Sequence, residues 1–317
     1  MYDFAAPIPF VGDRFYNPYE DIDSNWVKSN LHTHSITFGG LANGDNTVDE
    51  MVDRYESMNY NALSLTNYHQ ITPFESETMF QINGSEHGFN VGMVHHVVFN
   101  SAKSKILDYP FFQLRSHKQF ILNQLKTNNN LVALSHPNLN HGFTEKDVSL
   151  LSNIDLIEGV SVRANSIKEW DVALSAGKVI WTIGNDDAHD NTEAHSGLVW
   201  TMINSSGNSK GQLIENLKKG KHYATRGWAG QEMHQLQSIS INENELLLKL
   251  DTTADSIILK SDKGSVVAIA TASDSIRYSI IPENSYVRAE IFETEDWNNY
   301  TRSYFNPVIR SMDGTLP

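Results

Sequence analysis

Cysteine is absent from this 317-residue chain, and its absence removes several kinds of protein. Disulfide frameworks, thiol nucleophiles, zinc fingers and iron–sulfur clusters all need cysteine, so any metal must be held by His, Asp or Glu. Positive charge is scarce as well, because 24 Lys and Arg stand against 38 Asp and Glu, a net charge of −14. Such a chain lacks the positive field that attracts anionic polymers, so we expect no nucleic acid partner.

Long apolar runs are also missing, so we expect no membrane span. The first 25 residues lack the basic and apolar stretches of a secretory signal. Two interpretations follow: a cytoplasmic protein, or a mature exported protein whose leader has been removed. The lack of cysteine slightly favours a periplasmic or secreted location.

Hydrophobic residues make up 40% of the chain, which is enough for a sizeable core. Residues 1–28 show no periodicity and are predicted to form an irregular arm. In residues 29–228 short apolar runs alternate with helical patterns, which predicts an α/β barrel. Residues 229–317 carry six short strand patterns separated by turn residues, typical of a small all-β, sandwich-like domain.

Histidine is well represented, with 13 residues, and several follow predicted strands. His32 and His34 come after the first strand, and side chains two apart on a strand face the same way. Asp187 and His189 repeat this spacing later, and His136 ends another strand. Each pattern alone also fits surface histidines or polar turns. The full set of candidate donors at strand ends is His32, His34, Glu86, His95, His96, His136, Asp187 and His189. Together they indicate a site for Zn²⁺, Mn²⁺ or Fe²⁺.

The order of these motifs, His-x-His-Ser, Gly-x-Glu, a mid-chain His, His-Pro and Asp-x-His, resembles the polymerase-and-histidinol-phosphatase (PHP) superfamily. The resemblance runs from about residue 26 to residue 227, and residues 304–307 resemble the last strand of a branch with a C-terminal β domain. It implies a distorted seven-stranded α/β barrel with two or three metal ions. Most members of the superfamily are phosphoesterases.

The resemblance also implies which residues bind metal. One ion would be held by His32, His34, Glu86 and Asp187. Glu86 would bridge to a second ion, held together with His136 and His96. His96 is chosen over His95 because the run His96-Val-Val-Phe matches the family's His-apolar-apolar pattern better.

The third metal site of the family is altered in this sequence. Asn43 and Asn67 stand where the family has Asp, and Tyr68 stands where it has His. Amide and phenol oxygens are weaker ligands than carboxylate or imidazole, so His189 lacks two companions and we expect two ions rather than three. His69 could rescue the site, although a shift of one residue along a strand reverses the side-chain direction.

These residues predict a metal-dependent phosphoesterase acting on a small phosphorylated substrate, a phosphomonoester or a phosphodiester. A metal-activated water would attack phosphorus, and His189 or His69 would protonate the leaving oxygen. Arg163, Arg226 and Asn43 are the candidate substrate-binding residues, the arginines as forks for phosphate. Two alternatives remain open: hydrolysis of a carboxylic ester, carbamate or amide at the same metals, or a catalytically eroded module that binds carbohydrate.

Overall fold

The computed structural model describes residues 2–22, 24–40, 44–192, 194–205, 209–228, 234–294 and 300–317. The helices in these residues are α1 (Val48–Ser57), α2 (Arg115–Leu125), α3 (Glu145–Leu150), α4 (Ile167–Ser175) and α5 (Lys210–Lys218). The strands are β1 (Arg14–Tyr16), β2 (Trp26–Thr33), β3 (Ala62–Leu65), β4 (Phe80–Gln81), β5 (Gly84–His87), β6 (His96–Phe99), β7 (Leu131–Leu134), β8 (Leu156–Ser161), β9 (Trp181–Asn185), β10 (Val199–Asn204), β11 (His222–Arg226), β12 (Leu236–Asn242), β13 (Glu245–Ser261), β14 (Ser265–Ser279), β15 (Tyr286–Thr294), β16 (Tyr300–Phe305) and β17 (Val308–Ser311). None of the helices in this part of the chain is long and apolar enough to cross a membrane.

The strands form two sheets. The twelve-stranded sheet has the order β1-β17-β15-β16-β11-β10-β2-β3-β4, and β12, β13 and β14 join it where β13 pairs with β15. The five-stranded sheet has the order β5-β6-β7-β8-β9. Pairs β2–β3, β3–β4, β7–β8 and β8–β9 are parallel. The predicted α/β class is therefore confirmed.

The two sheets meet at the ends of their strands without closing into the predicted barrel. Single bridges join Thr33 to Ala188 and Tyr68 to Glu86. Beside the first bridge, the side chain of Asn185 accepts the Leu31 N–H at 2.8 Å, where a neighbouring strand would otherwise supply a carbonyl. In the described residues the hydrogen-bonded ladders therefore stay open, and the sheets meet where polar side chains collect.

The helix and strand that precede this junction show how closely the sequence predicts local structure. Helix α1 begins with a capping box between Thr47 and Glu50, and Tyr55 packs its apolar face onto the core. The spacing of the apolar residues in 48–60 predicts a helix as far as residue 60, but the helix ends at Ser57. Asn59 adopts a left-handed backbone (φ 58°), which ends the helix and turns the chain into β3.

The C-terminal strands differ from the predicted separate sandwich, because β16 pairs with β11 and continues the larger sheet. Four of the six predicted short strands merge into the two long strands β13 and β14. These two strands form a hairpin through the turn 262–264. Lys263 (φ 57°) and Gly264 (φ 73°) take left-handed conformations in that turn. The edge of β11 is thus covered by β16 rather than left open.

The N-terminal arm is only partly irregular. Its residues 14–16 form β1, which pairs antiparallel with β17. The Tyr19 hydroxyl donates to the His222 carbonyl at 2.7 Å and accepts from the Asn306 N–H at 2.8 Å. The predicted boundary at residue 28 falls within β2, and the division into domains stays a prediction.

Candidate metal centre

Six ionisable side chains converge where the two sheets meet. His32 and His34 lie at the end of β2, Glu86 lies in β5, and the others are placed by the neighbouring strand ends. The complete cluster is His32, His34, Glu86, His95, His136 and Asp187, and every member is buried. Two sets of donors within the cluster could each hold a metal ion: His32, His34 and Glu86, and Glu86, His95 and His136. A third set joins His34 and Asp187 to the neighbouring His189.

Four of these side chains place one atom each around a common point. The four atoms are His32 Nε2, His34 Nε2, Glu86 Oε2 and Asp187 Oδ1. Five of the distances between them lie between 3.2 and 3.4 Å. Ligand bonds of about 2.0–2.1 Å around a tetrahedral ion would place the ligand atoms about 3.3–3.4 Å apart. The residues therefore fit a small divalent cation.

The second oxygen of Glu86 belongs to a second set of donors. Glu86 Oε1 lies 2.9 Å from His95 Nδ1 and 3.5 Å from His136 Nε2. The other oxygen of Asp187, Oδ2, lies 3.9 Å from His136 Nε2. Because each oxygen of Glu86 faces a different group of imidazoles, this one carboxylate can serve two neighbouring ions.

Several atoms of the cluster have no hydrogen-bond partner although they are buried. They include both oxygens of Glu86, Oδ1 of Asp187 and Nδ1 of His95. Buried polar atoms are almost always hydrogen-bonded, so unpartnered ones need an explanation. Cations placed between the carboxylates and the imidazoles would satisfy these atoms together.

The electrostatics of the cluster also favour added positive charge. Burial alone would raise the pKa of Glu86, but His32 and His95 hold that pKa well below its usual range. Burial likewise lowers the pKa of His32 on its own, but Asp187 and Glu86 raise it well above its usual value. Buried carboxylates that stay ionised must be balanced, and divalent cations among the imidazoles would provide that balance.

Glu158, in β8, is a functional residue that the sequence analysis did not assign. Its Oε1 lies 3.2 Å from His32 Nδ1 and accepts from Asn185 Nδ2 at 3.1 Å, while its Oε2 accepts the His136 N–H at 2.9 Å. A carboxylate on the second ring nitrogen fixes the orientation of a ligating imidazole. The available signal was a charged residue within the apolar strand 156–160, since charged residues are almost never fully buried unless paired.

Two cluster residues have positive φ angles, a backbone conformation that residues other than glycine rarely adopt. The φ angle is 31° at His136 and 53° at Asp187. Both residues follow strand ends of the smaller sheet, and such strain is tolerated where it aims side chains at a functional site. Proline at position 137 then restricts the chain just after His136.

Arg163 brings a guanidinium to the edge of the cluster. Its Nε lies 3.0 Å from Asp187 Oδ2, and its Nη2 donates to His189 Nδ1 at 2.7 Å. The Arg163 side chain is 42% exposed, so it can also reach an incoming anion. Burial, then His34, lowers the pKa of His189 to about 4, so this imidazole is neutral and its Nδ1 can accept the Arg163 hydrogen bond.

A cavity of about 460 Å³ opens over the cluster. It is lined by Tyr68, Met93, His136, Leu139, Val162, Arg163, Asp186, Asp187, His189 and His195. His195, which the sequence analysis did not assign, also lines this cavity, and its Nδ1 lies 2.6 Å from Asp190 Oδ2. Asp190 also accepts the Thr192 N–H at 2.9 Å, which holds the carboxylate in place beside the imidazole.

The choice of His96 as a ligand is corrected to His95. Strand β6 begins at His96, so the two adjacent side chains point to opposite faces. The His95 ring faces Glu86, whereas the His96 ring packs 5.3 Å from Phe143 and 5.8 Å from His87. A motif match placed the ligand one residue too late.

Two further predicted residues lie apart from the cluster. His69 has a φ of 52°, its Nδ1 lies 2.7 Å from the Lys105 carbonyl, and it belongs to none of the three donor sets. Arg226 Nη1 donates to the Ser161 carbonyl at 3.4 Å and is not among the residues lining the cavity. The catalytic role of His69 and the phosphate-binding role of Arg226 are therefore corrected. Asn43 lies outside the described residues.

The altered third site has taken structural roles. Asn67 accepts the Ser35 N–H at 2.9 Å and donates to Thr72 Oγ1 at 2.8 Å. The Tyr68 ring stacks on His34 with centroids 5.1 Å apart. The remaining candidate set for a third ion consists of His34, Asp187 and His189, and it shares two members with the first set.

The chain is only remotely similar to the known proteins found by comparison. No family model matches the chain, and no curated protein matches it. Among solved structures, an endonuclease Q in complex with a 27-mer duplex containing an abasic lesion is 15% identical, with a TM-score of 0.43 over 61% of this chain and 57% of that one. A lesion-specific endonuclease from Pyrococcus furiosus is 15% identical, with a TM-score of 0.44 over 61% of this chain and 56% of that one. The chain thus spans little more than half the length of these proteins, and likeness at this level carries no argument about activity.

The expectation that nucleic acid is excluded is nevertheless wrong as a deduction. One of the similar structures holds a DNA duplex at its active site. Net charge sums over the whole surface, whereas phosphate recognition depends on the charge around one site, where bound cations and Arg163 would set the sign. A net charge of −14 therefore does not exclude a nucleic acid partner.

Proposed function

We propose that this protein is a metal-dependent hydrolase of phosphoesters. The observation that carries the proposal is the position of Glu86, whose two oxygens face separate groups of imidazoles. We assign one divalent ion to His32, His34, Glu86 and Asp187. We assign a second ion to Glu86, His95 and His136. Zn²⁺, Mn²⁺ and Fe²⁺ all suit such nitrogen and oxygen donors.

Arg163 favours phosphate over a carboxylic ester, carbamate or amide as the group that is hydrolysed. A guanidinium binds two phosphate oxygens at once, and a neutral carbonyl substrate offers no such partner. Arg163 lines the cavity and stands beside Asp187, so it would hold a phosphoryl group against the cluster. The alternative of an eroded binding module has no comparable support, because the donors of two ion sites are intact.

The other side chains have distinct tasks in this proposal. Bound there, two divalent ions supply a nucleophile at neutral pH and neutralise charge on the phosphoryl group. Glu158 orients the His32 ring through its Nδ1. We assign His195 as the proton donor to the leaving oxygen, because Asp190 accepts from its Nδ1 and leaves Nε2 for the substrate.

We also propose that the chain is a PHP-type protein. Strands β2, β3 and β5 to β9 would then correspond to the seven strands of the PHP barrel, opened here into two sheets that meet through the single bridges Thr33–Ala188 and Tyr68–Glu86. The order of the sequence motifs supports this assignment. A PHP branch with a C-terminal β domain is supported by the pairing of β16 with β11.

The test compares two adjacent histidines in the full chain. Protein purified without chelator is analysed for bound metal and assayed on p-nitrophenyl phosphate, bis-p-nitrophenyl phosphate, p-nitrophenyl acetate and an abasic DNA duplex. We expect metal and phosphoester turnover, both reduced at least about tenfold by His95→Gln and retained by the matched control His96→Gln. Absence of metal that added Mn²⁺ or Zn²⁺ cannot restore would contradict the proposal, as would turnover of the acetate alone.

A further inference from the structure

An unusual apolar surface lies on two neighbouring loops, within residues 88–93 and 103–114. Seven large apolar residues there are each between 60% and 81% exposed. We call them the loop patch: Phe89, Val91, Ile106, Leu107, Phe111, Phe112 and Leu114. Single exposed apolar residues are normal, but a contiguous group of this kind marks an interaction surface.

The two loops are tied into one structure rather than hanging free. Asp108 Oδ2 accepts the Phe89 N–H at 2.7 Å and the Asn90 side-chain amide at 3.1 Å. Val91 N–H donates to the Pro110 carbonyl at 3.1 Å. These bonds hold the two loops, which carry the apolar side chains, next to each other.

The loop patch adjoins the cavity over the metal centre. Met93, on the first loop, lines that cavity, and so does Tyr68. The Tyr68 ring lies 6.4 Å from the Phe89 ring, so the cavity wall continues directly into the patch. Whatever covers the patch will therefore lie beside the cavity.

The net charge of the two loops that carry the patch is positive, whereas the net charge of the whole chain is negative. Lys103 and Lys105 are exposed, and neither has an ion pair within the described ranges. Asp108, the acidic residue of the same loop, accepts hydrogen bonds from the Phe89 and Tyr109 N–H groups. Arg115 is neutralised by Asp147 at 2.9 Å. The two loops thus carry two lysines against the one carboxylate of Asp108, a net charge of +1 in a chain of net charge −14.

We infer that the loop patch docks on a lipid surface that carries anionic headgroups. Exposed Phe, Leu and Ile side chains flanked by lysine fit the boundary between headgroups and acyl chains, where the rings are buried and the ammonium groups meet phosphates. The acidic remainder of the chain would be repelled from such a surface, so the two lysines would orient the molecule with the patch, and the adjoining cavity, towards the lipid. This inference is independent of the proposed function.

The experiment uses the whole protein and lipid vesicles, with binding measured by co-sedimentation. Vesicles of phosphatidylcholine alone are compared with vesicles that also contain phosphatidylglycerol. We expect binding to the anionic vesicles that is about tenfold or more tighter than to neutral ones. The paired change Phe111→Ser with Phe112→Ser should abolish binding, and Lys103→Glu with Lys105→Glu should remove the preference for anionic lipid.

A matched control changes exposed apolar residues elsewhere. Val266 and Ile269 in β14 are 52% and 60% exposed, and their replacement by Ser should leave vesicle binding unchanged. Circular dichroism checks that each variant folds. Failure to bind either vesicle overturns the inference, and so does binding that survives the Phe111 and Phe112 changes. Light scattering measures whether the protein is a dimer. A dimer that the Phe111 and Phe112 changes dissociate would assign the patch to contact with a second copy of the chain, and would also overturn the inference.

Discussion

Two clusters of buried charge lie in this molecule, and they are built in different ways. In the metal centre, Glu86 and Asp187 face imidazoles, and three of their four oxygens lack a hydrogen-bond partner. In the second cluster, Arg288 of β15 donates to Asp171 of α4 at 2.7 and 2.8 Å and to Glu290 at 2.7 Å. No atom of those three side chains is unpartnered in the described structure.

The difference separates a structural cluster from a functional one. The group around Arg288 is complete, because a bidentate guanidinium pair and a second carboxylate satisfy one another. It joins a helix beside the smaller sheet to a strand of the larger one. In the proposed function, cations complete the cluster around Glu86. Buried charge alone does not identify a site, but buried charge without partners does.

The largest expected effect comes from Glu86→Gln. An amide keeps the size of the side chain but removes the charge that faces both sets of imidazoles. We expect both ions to be lost and turnover to fall about 1,000-fold or more, which corresponds to about 4 kcal/mol. Metal analysis of the folded variant measures this directly, and retention of one full equivalent would show that Glu86 does not bridge.

We expect Arg288→Met to have the opposite effect from Glu86→Gln: a large loss of stability without loss of metal. Removing the guanidinium takes the paired cation from buried Asp171, which keeps a hydrogen bond from the Tyr286 hydroxyl, while Glu290 keeps Lys260 and Arg302. Loss of one partner of a buried ion pair costs about 3–5 kcal/mol. Urea unfolding measures this cost, and metal per folded chain serves as the control. If stability is unchanged while metal is lost, the distinction between the two clusters is wrong.

The Glu158→Gln variant tests the support of the centre rather than its ligands. The carboxylate on His32 Nδ1 orients that ring, and loss of such a partner weakens metal affinity about 10–100-fold. That is about 1.4–2.7 kcal/mol, less than for Glu86. Competition with a chelator gives the affinity. An affinity equal to that of the unchanged protein would mean that Asn185 and the backbone position the ring without Glu158.

The sequence predicted the parts of this site that depend on local periodicity. His32 and His34 share a face because strand side chains repeat every two residues. The choice between His95 and His96 depended instead on where β6 begins, and one residue of error reverses the direction of the side chain. His69 was misplaced because its left-handed backbone turns it out of the strand path.

Features that depend on distant parts of the chain were beyond local patterns. The pairing of β16 with β11 joins residues about 80 positions apart, so the C-terminal strands extend the larger sheet instead of forming a sandwich. Glu158 became a candidate for the centre only when the fold placed it beside His32. Arg163 was a candidate from the sequence, but only the fold, which places it beside Asp187, distinguishes it from Arg226. Local composition gave the class of the fold, and long-range pairing decided its layout.

The smallest expected effect on stability concerns His222, a buried histidine that lies outside both clusters. It tests whether a buried histidine needs neighbouring carboxylates to stay protonated. Burial lowers the pKa of His222 to about 3, whereas Asp187 and Glu86 raise that of His32. Between about pH 6.5, where an unfolded histidine titrates, and about pH 3, the unfolded chain holds a proton that folded His222 does not. Stability should therefore fall as the pH is lowered through this range, by up to about 1.4 kcal/mol per pH unit from this residue.

The difference between the unchanged protein and His222→Gln isolates that contribution, because the other titrating groups are common to both chains. Urea unfolding at several pH values from 7 down to about 5 avoids the range in which unfolded carboxylates titrate. The variant should lose less stability on acidification than the unchanged protein. Parallel pH curves would mean that the imidazole of His222 finds a partner for its proton in the folded core, so that burial without a carboxylate does not suffice to keep a histidine neutral.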